Sequence, residues 1–202
     1  MKLFGASGHA KVIIDILDSQ GIAVEGIFDD NKEIKKILDY QVDESSMDSP
    51  LIICIGDNKI RRKLVERFAA FEFGKAIHAT AQLSKYASVG EGTVMMHGAI
   101  VQASSVVGKH CIINTGASVD HDCTIEDFVH LSPQVTLCGN VHIGEGTHIG
   151  AGTVVLPGVS IGKWCVVGAG SVVAKDLPDF VLAVGNRCEI KKRGINQEVL
   201  MR

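Results

Sequence analysis

The sequence predicts a small Rossmann-like α/β domain followed by a left-handed parallel β-helix of hexapeptide repeats, and two observations carry that prediction. From Ile77 onward an aliphatic residue returns every six positions, through Leu83, Val89, Met95, Val101, Val107, Ile113, Val119, Ile125, Leu131, Leu137, Ile143, Ile149, Val155, Ile161 and Val167 to Val173, without an insertion. Ahead of it, short apolar runs alternate with helical stripes and end in glycine, aspartate or asparagine. The expected boundaries are 1–76 for the Rossmann-like domain, 77–179 for the β-helix and 180–202 for a C-terminal tail.

A period of six fits neither an α-helix nor a strand taken alone. It fits a prism whose flat faces are each one hexad wide. The aliphatic residue points inward. Four residues later comes a small or β-branched residue, as at Ala81, Thr93, Ser105, Cys111, Cys123 and Cys165, and glycine or asparagine permits the corners. Three hexads close one coil, so residues eighteen apart stack at the ~4.8 Å strand spacing.

In the first part, Lys2 to Phe4 reads as a strand and Gly5-Ala-Ser-Gly-His9 as a tight turn. His9 to Gln20 carries Val12, Ile13, Ile16 and Leu17 on one helical stripe, stopped by Gly21. Val24 to Phe28 is a second strand ending in Asp29-Asp30. Leu51 to Ile55 is a third, ending in Gly56-Asp57-Asn58. Asn58 is expected to cap a helix that has Ile60, Leu64, Val65 and Phe68 on one face. Alternating strands and helices imply a parallel sheet with right-handed crossovers. Ligands of such sheets sit beyond the carboxyl ends of the strands.

The bulk numbers narrow the function. Aromatic content is 5% with 22 glycines in 202 residues, which suits thin aliphatic packing between tight turns. The net charge of -3, with no long basic run, argues against nucleic acid or an anionic membrane as partner. No signal peptide and no membrane span are expected. The six cysteines lack a CxxC pair and read as reduced thiols of a cytoplasmic protein.

Three strand ends and a set of histidines carry the chemistry. Gly5-x-x-Gly8 opens a helix after a strand, so it is either a phosphate cradle or simply a tight turn. Asp29 and Asp30 either accept hydrogen bonds from a ribose or base, or form a solvated turn. In the repeat, Asn114-Thr-Gly-Ala-Ser-Val-Asp-His121-Asp122-Cys123 stands out. His121 occupies an outward place of its hexad beside a carboxylate, which suits a general base; the alternative is a plain surface histidine. His130 lies half a coil further on and should stack with His148. Zinc is the rival use of His121, His130, His142 and His148, but they lack ligand spacing, and no metal is expected.

The hexads resemble the bacterial transferase hexapeptide proteins. Together with Gly5-Ala-Ser-Gly-His9 and the His121-Asp122 motif, over about residues 1 to 187, the chain resembles sugar acyltransferases of the sialic acid O-acetyltransferase (NeuD-like) type. Among these it is most similar to the UDP-4-amino-sugar N-acetyltransferases of bacillosamine synthesis. The resemblance implies acetyl-CoA as co-substrate, a UDP-linked amino sugar as acceptor and a homotrimer. It implies His121 as general base and Asp122 as the group raising its basicity. It implies that His130, Gly139, Ala151 and Ala169 bind acetyl-CoA, and that Ser7, Gly8, His9, Asp29, Asp30 and Gly56 hold the nucleotide sugar. The segment Gly185-Asn186-Arg187-Cys188 departs from the family's Gly-x-Pro-Ala.

Overall fold

The structure, a computed structural model, describes residues 1–42 and 49–195. The last residues of the expected tail, 196–202, lie outside the described residues. The first unit is a three-stranded parallel sheet in the order β2-β1-β5, with β1 at Lys2–Phe4, β2 at Gly26–Phe28 and β5 at Leu51–Ile53. Helix α1, Gly8–Ser19, connects β1 to β2 and buries Ala10, Ile13, Ile14, Ile16 and Leu17. The hairpin β3 (Lys36–Ile37) and β4 (Tyr40–Gln41) stands where no element was expected. Its turn places Leu38 at φ 49°.

Helix α2, Asn58–Arg67, departs from the expected face and cap. Asp57 is the cap, its carboxylate accepting the Ile60 N–H at 2.8 Å. Ile60 is 51% exposed, while Asn58 and Arg61 are buried beside Leu64. The polar pair takes the buried face because that face meets the solenoid, described below.

From Ala76 the chain winds as a left-handed parallel β-helix of two-residue strands. The first face begins at Ala76–Ile77, the second at Gln82–Leu83 and the third at Ser88–Val89. Each strand from Ala76–Ile77 to Val154–Val155 pairs in parallel with the one eighteen residues on, so Ile112, His130 and His148 form one outward ladder on the first face. The aliphatic series fills the interior, with Met95, Val119, Leu137 and Val155 all buried. Each such side chain contributes ~1.5–3 kcal/mol relative to exposure. Leu83 stays 37% exposed because it belongs to the open first coil. Val181–Val184 continues the first face, and Glu189–Arg193 folds back on it antiparallel.

The small interior positions are not purely apolar. Thr93, Ser105 and Thr147 donate their hydroxyls to the carbonyls of Gly108, Asp120 and Gly162. Each hydroxyl also accepts the N–H of the cysteine one coil further on: Cys111, Cys123 and Cys165. Those thiols repeat the device against Glu126, Cys138 and Pro178. The three cysteines therefore serve the interior as weak donors as well as small fillers.

The α/β unit lies on the first face. Ala76, Val94 and Ile112, the outward residues of its early coils, share a core with Leu3, Ile13 and Leu17. The next two outward residues of that face are His130 and His148.

Candidate active site

The structure sorts the expected residues into three groups on one chain. The first is at the corner between the second and third faces. His121 and Asp122 form its turn, and Gly139 forms the same turn one coil later. Asp122 adopts φ 58°, a left-handed conformation that aspartate tolerates better than most residues. From there its Oδ2 accepts the His121 Nδ1–H at 2.7 Å. The Asp120 Oδ1 accepts the His121 N–H at 2.8 Å. Both side chains of the dyad are mostly exposed, at 62% and 59%. The hydrogen bond to Asp122, followed by the charge of Asp120, raises the His121 pKa above its ordinary value. With Nδ1 engaged, Nε2 is the free base, and it lies over Gly139. A Cβ at Gly139 would come within 2.6 Å of His121 Cε1, so only glycine lets the ring rest there.

A groove of about 260 Å³ runs along the second face beside this corner, lined by Gln102, Ser118, Asp120, Thr136 and Cys138 among others. The second group is at the corner between the first and second faces. Ala151 and Ala169 sit there on adjacent coils, both exposed, joined by the Gly170 N–H to Ala151 O bond of 2.8 Å.

The third group is at the strand ends of the α/β unit. Ser7 caps α1 by position without a side-chain hydrogen bond, leaving its hydroxyl free of that duty. A Cβ at Gly8 or Gly56 would meet nothing within 4 Å, so both glycines border open space. His9 Nε2 is buried with no hydrogen-bond partner among the described residues. Burial, then the charge of Arg61, lowers the His9 pKa to about 4. His130 joins this group rather than His121. Its Nδ1–H donates to Gly56 O at 3.3 Å, its Nε2 accepts from Asn114 Nδ2 at 3.2 Å, and its ring stacks on His148 with centroids 4.7 Å apart. Burial, then His148 and Arg61, pushes His130 well below the ordinary imidazole pKa. The two aspartates also make contacts within the unit. Asp29 accepts the Ala6 and Asn31 N–H groups, and Asp30 pairs with Arg67.

Sequence reasoning missed Asp120, Asn58 and Arg61. Asp120 was visible inside the quoted motif. Arg61 gave no signal, because its acceptors lie 49 and 67 residues away.

The four histidines weighed as zinc ligands do not converge. His130 stacks with His148, His142 bonds Glu126 at 3.1 Å, and His121 bonds Asp122. Asp15, His78 and His97 do cluster within 4.8 Å. However, His78 and His97 stack face to face at 3.7 Å, which sets their in-plane lone pairs side by side instead of converging. His78 Nδ1 accepts the Thr80 N–H, and His97 Nε2 donates to Asp15 at 2.7 Å. The trio staples α1 to the solenoid.

Comparison with known proteins is consistent over nearly the whole chain. Residues 1–68 match the PglD N-terminal domain, and residues 122–156 and 140–175 match the bacterial transferase hexapeptide (six repeats). A structure of a histidine-to-asparagine variant of perosamine N-acetyltransferase from Caulobacter crescentus, in complex with CoA and GDP-perosamine, is 39% identical, with a TM-score of 0.89 over 95% of this chain and 96% of that one. The acetyltransferase domain of PglB from Neisseria gonorrhoeae, in complex with acetyl coenzyme A, is 34% identical with a TM-score of 0.87, over 94% and 97%. A putative acetyltransferase of Staphylococcus aureus is 46% identical over 67 residues, which is 33% of this chain and 34% of its own length. The chain thus spans about a third of the curated relatives it matches first. Taken with the strand ends, the outward histidines and the His–Asp corner, these likenesses show that the chain belongs to the hexapeptide-repeat sugar acetyltransferases that carry a PglD-type N-terminal domain.

Proposed function

We propose that the chain transfers the acetyl group of acetyl-CoA to the amino group of a nucleotide-linked 4-amino-4,6-dideoxy sugar, with UDP as the nucleotide and His121 as general base. The observation that carries this reading is the exposed dyad, His121 Nδ1 held by Asp122 at 2.7 Å with Nε2 left to react. Relatives solved with CoA, acetyl coenzyme A and a nucleotide-linked amino sugar support both substrates.

In this reading His121 Nε2 takes a proton from the sugar amine as the nitrogen attacks the thioester carbon. The imidazolium, stabilised by Asp122 and Asp120, then returns the proton to the departing CoA thiolate. The Gly139 N–H donates to the thioester oxygen as negative charge develops on it, the kind of aimed dipole that supplies the larger share of such catalysis. Ala151 and Ala169, lacking bulk, let the CoA arm lie against their corner. No acyl-enzyme forms, so no cysteine is required.

The acceptor is held by Ser7, Gly8, His9, Asp29, Asp30 and Gly56. These strand ends lie on the first face, whereas His121 is at the corner between the second and third. A homotrimer resolves that separation: one protomer's strand ends present the sugar to the His121 corner of its neighbour. The reaction belongs to the cytoplasm, where acetyl-CoA and nucleotide sugars are made, and serves surface glycan synthesis.

The test is release of CoA thiol from acetyl-CoA with UDP- and GDP-linked 4-amino-4,6-dideoxy sugars. Release with a product heavier by one acetyl group is expected, fastest with the UDP sugar. Faster turnover of the GDP sugar would correct the nucleotide. Release only with hydroxyl acceptors such as sialic acid would replace the amine by an alcohol, and none with any acceptor would overturn the proposal.

A further inference from the structure

Asn58 and Arg61 stand one turn apart on α2, are 2% and 1% exposed, and both reach the corner between the third and first faces. Arg61 Nε donates to His110 O at 2.8 Å, and Nη2 to Phe128 O at 2.9 Å. Asn58 Nδ2 donates to Gly146 O at 3.0 Å. The three carbonyls are eighteen residues apart, so they belong to three successive coils and rise as a ladder at the ~4.8 Å strand spacing. The corner residues that carry them have φ of 54°, 60° and 66°. The other Arg61 donors close the fork: Nη1 to Ile55 O at 3.0 Å and Gly56 O at 3.1 Å, Nη2 to Asn58 Oδ1 at 2.8 Å. All five N–H groups of the guanidinium are used, each on a carbonyl oxygen.

Burying such a charge carries a desolvation penalty, and an apolar side chain would join the two surfaces without it. What the fork adds is register. The apolar contact with Ala76, Val94 and Ile112 sets the domain on the early coils, but the carbonyl ladder that α2 meets recurs on every coil, and a slip of one coil moves Gly56 from His130 to Ile112 or His148. Ile112 has no hydrogen bond to give. The fork ties the Gly56 carbonyl to two particular coils, and the same carbonyl receives the His130 Nδ1–H.

We infer that Asn58 and Arg61 are positioning residues for the transfer reaction, selecting the coil on which the N-terminal domain sits and so the height of its strand ends relative to His130 and His121. The kinetic part of this inference rests on the reaction proposed above; its structural part does not. Arg61→Met, Arg61→Lys and Asn58→Ala are compared with the unaltered chain. For Arg61→Met, kcat/KM with the nucleotide-linked amino sugar falls on the order of 10²-fold, the cost of misplacing a substrate by about 1 Å. The dissociation constant for CoA stays within twofold. Arg61→Lys restores the charge without the fork, so it stays near Arg61→Met. Asn58→Ala loses about tenfold, on the same scale for a smaller displacement.

Nuclear Overhauser contacts between the His130 ring and Gly56 supply the readout that needs no substrate. They vanish in Arg61→Met, while the stacking of His130 on His148 persists. If Arg61→Met does not fold, Arg61→Lys and Asn58→Ala carry the same measurement. Retention of the Gly56 contact in every folded variant overturns the inference. So does full kinetic rescue by lysine, which would assign Arg61 an electrostatic role. Failure of the unaltered chain to acetylate any amino sugar would refute the proposed reaction and leave the ring contacts to decide the register.

Discussion

His121 and His130 are nine residues apart on one winding of the same prism, yet they are opposite in character. His121 stands in solvent with two aspartates beside it, and its pKa is raised. His130 lies under the Gly56 carbonyl, against His148 and in the field of Arg61, and its pKa is lowered. The scaffold is the same repeat of two-residue strand and turn, with His121 in a turn and His130 on a strand. The difference comes from the neighbours of each ring: two aspartates of its own turn at the exposed His121, and a whole domain packed over His130. The β-helix's own aspartates raise His121, and burial under the added domain lowers His130.

The comparison breaks most completely at the base. His121→Ala lowers turnover on the order of 10²–10⁴-fold in the CoA-release assay, and a near-normal rate would remove His121 from its role. The buried side breaks in acid. His9 and His110 are lowered to about 4, mainly by burial, and His130 and His148 are lowered as well. A depressed histidine contributes stability that is complete above its unfolded pKa of ~6.5. That contribution is lost as pH falls through the folded value. Unfolding in urea at pH 7, 5.5 and 4 should therefore show a loss of roughly a few kcal/mol between the first and last. Flat stability over that range would contradict the neutral, buried state of the four rings. Asp122→Asn sharpens the exposed side with the smallest effect. It keeps the left-handed turn but removes the charge that raises His121. The acid limb of the rate profile moves to lower pH, and the plateau falls on the order of tenfold, part of the full general-base term. An unmoved limb would separate Asp122 from the basicity of His121.

Much of this was legible in order of repetition. The seventeen aliphatic positions fixed the coil length, and with it the stacking of His130 on His148 and of Gly139 over the turn of His121. The short strands and α1 follow from local pattern, to within a residue or two at their ends. The α2 face did not. Helical periodicity nominated Ile60, but the surface that α2 meets is a ladder of carbonyls, which takes Asn58 and Arg61. Such a surface has no signature in side-chain hydropathy. Asp30 shows the same limit: its partner, Arg67, is 37 residues away on another element.

The interior hydroxyl of Ser105 has a reach beyond packing. It donates to the Asp120 carbonyl at 2.6 Å and accepts the Cys123 N–H at 3.0 Å, so it grips the chain on both sides of the His121 turn. The Cys123 thiol then donates to Cys138 O at 3.2 Å, next to Gly139. Two of the smallest side chains in the prism, hidden from any substrate, thus act as rivets set from behind, and an exposed corner of the molecule owes its stiffness to the side that faces away from the chemistry.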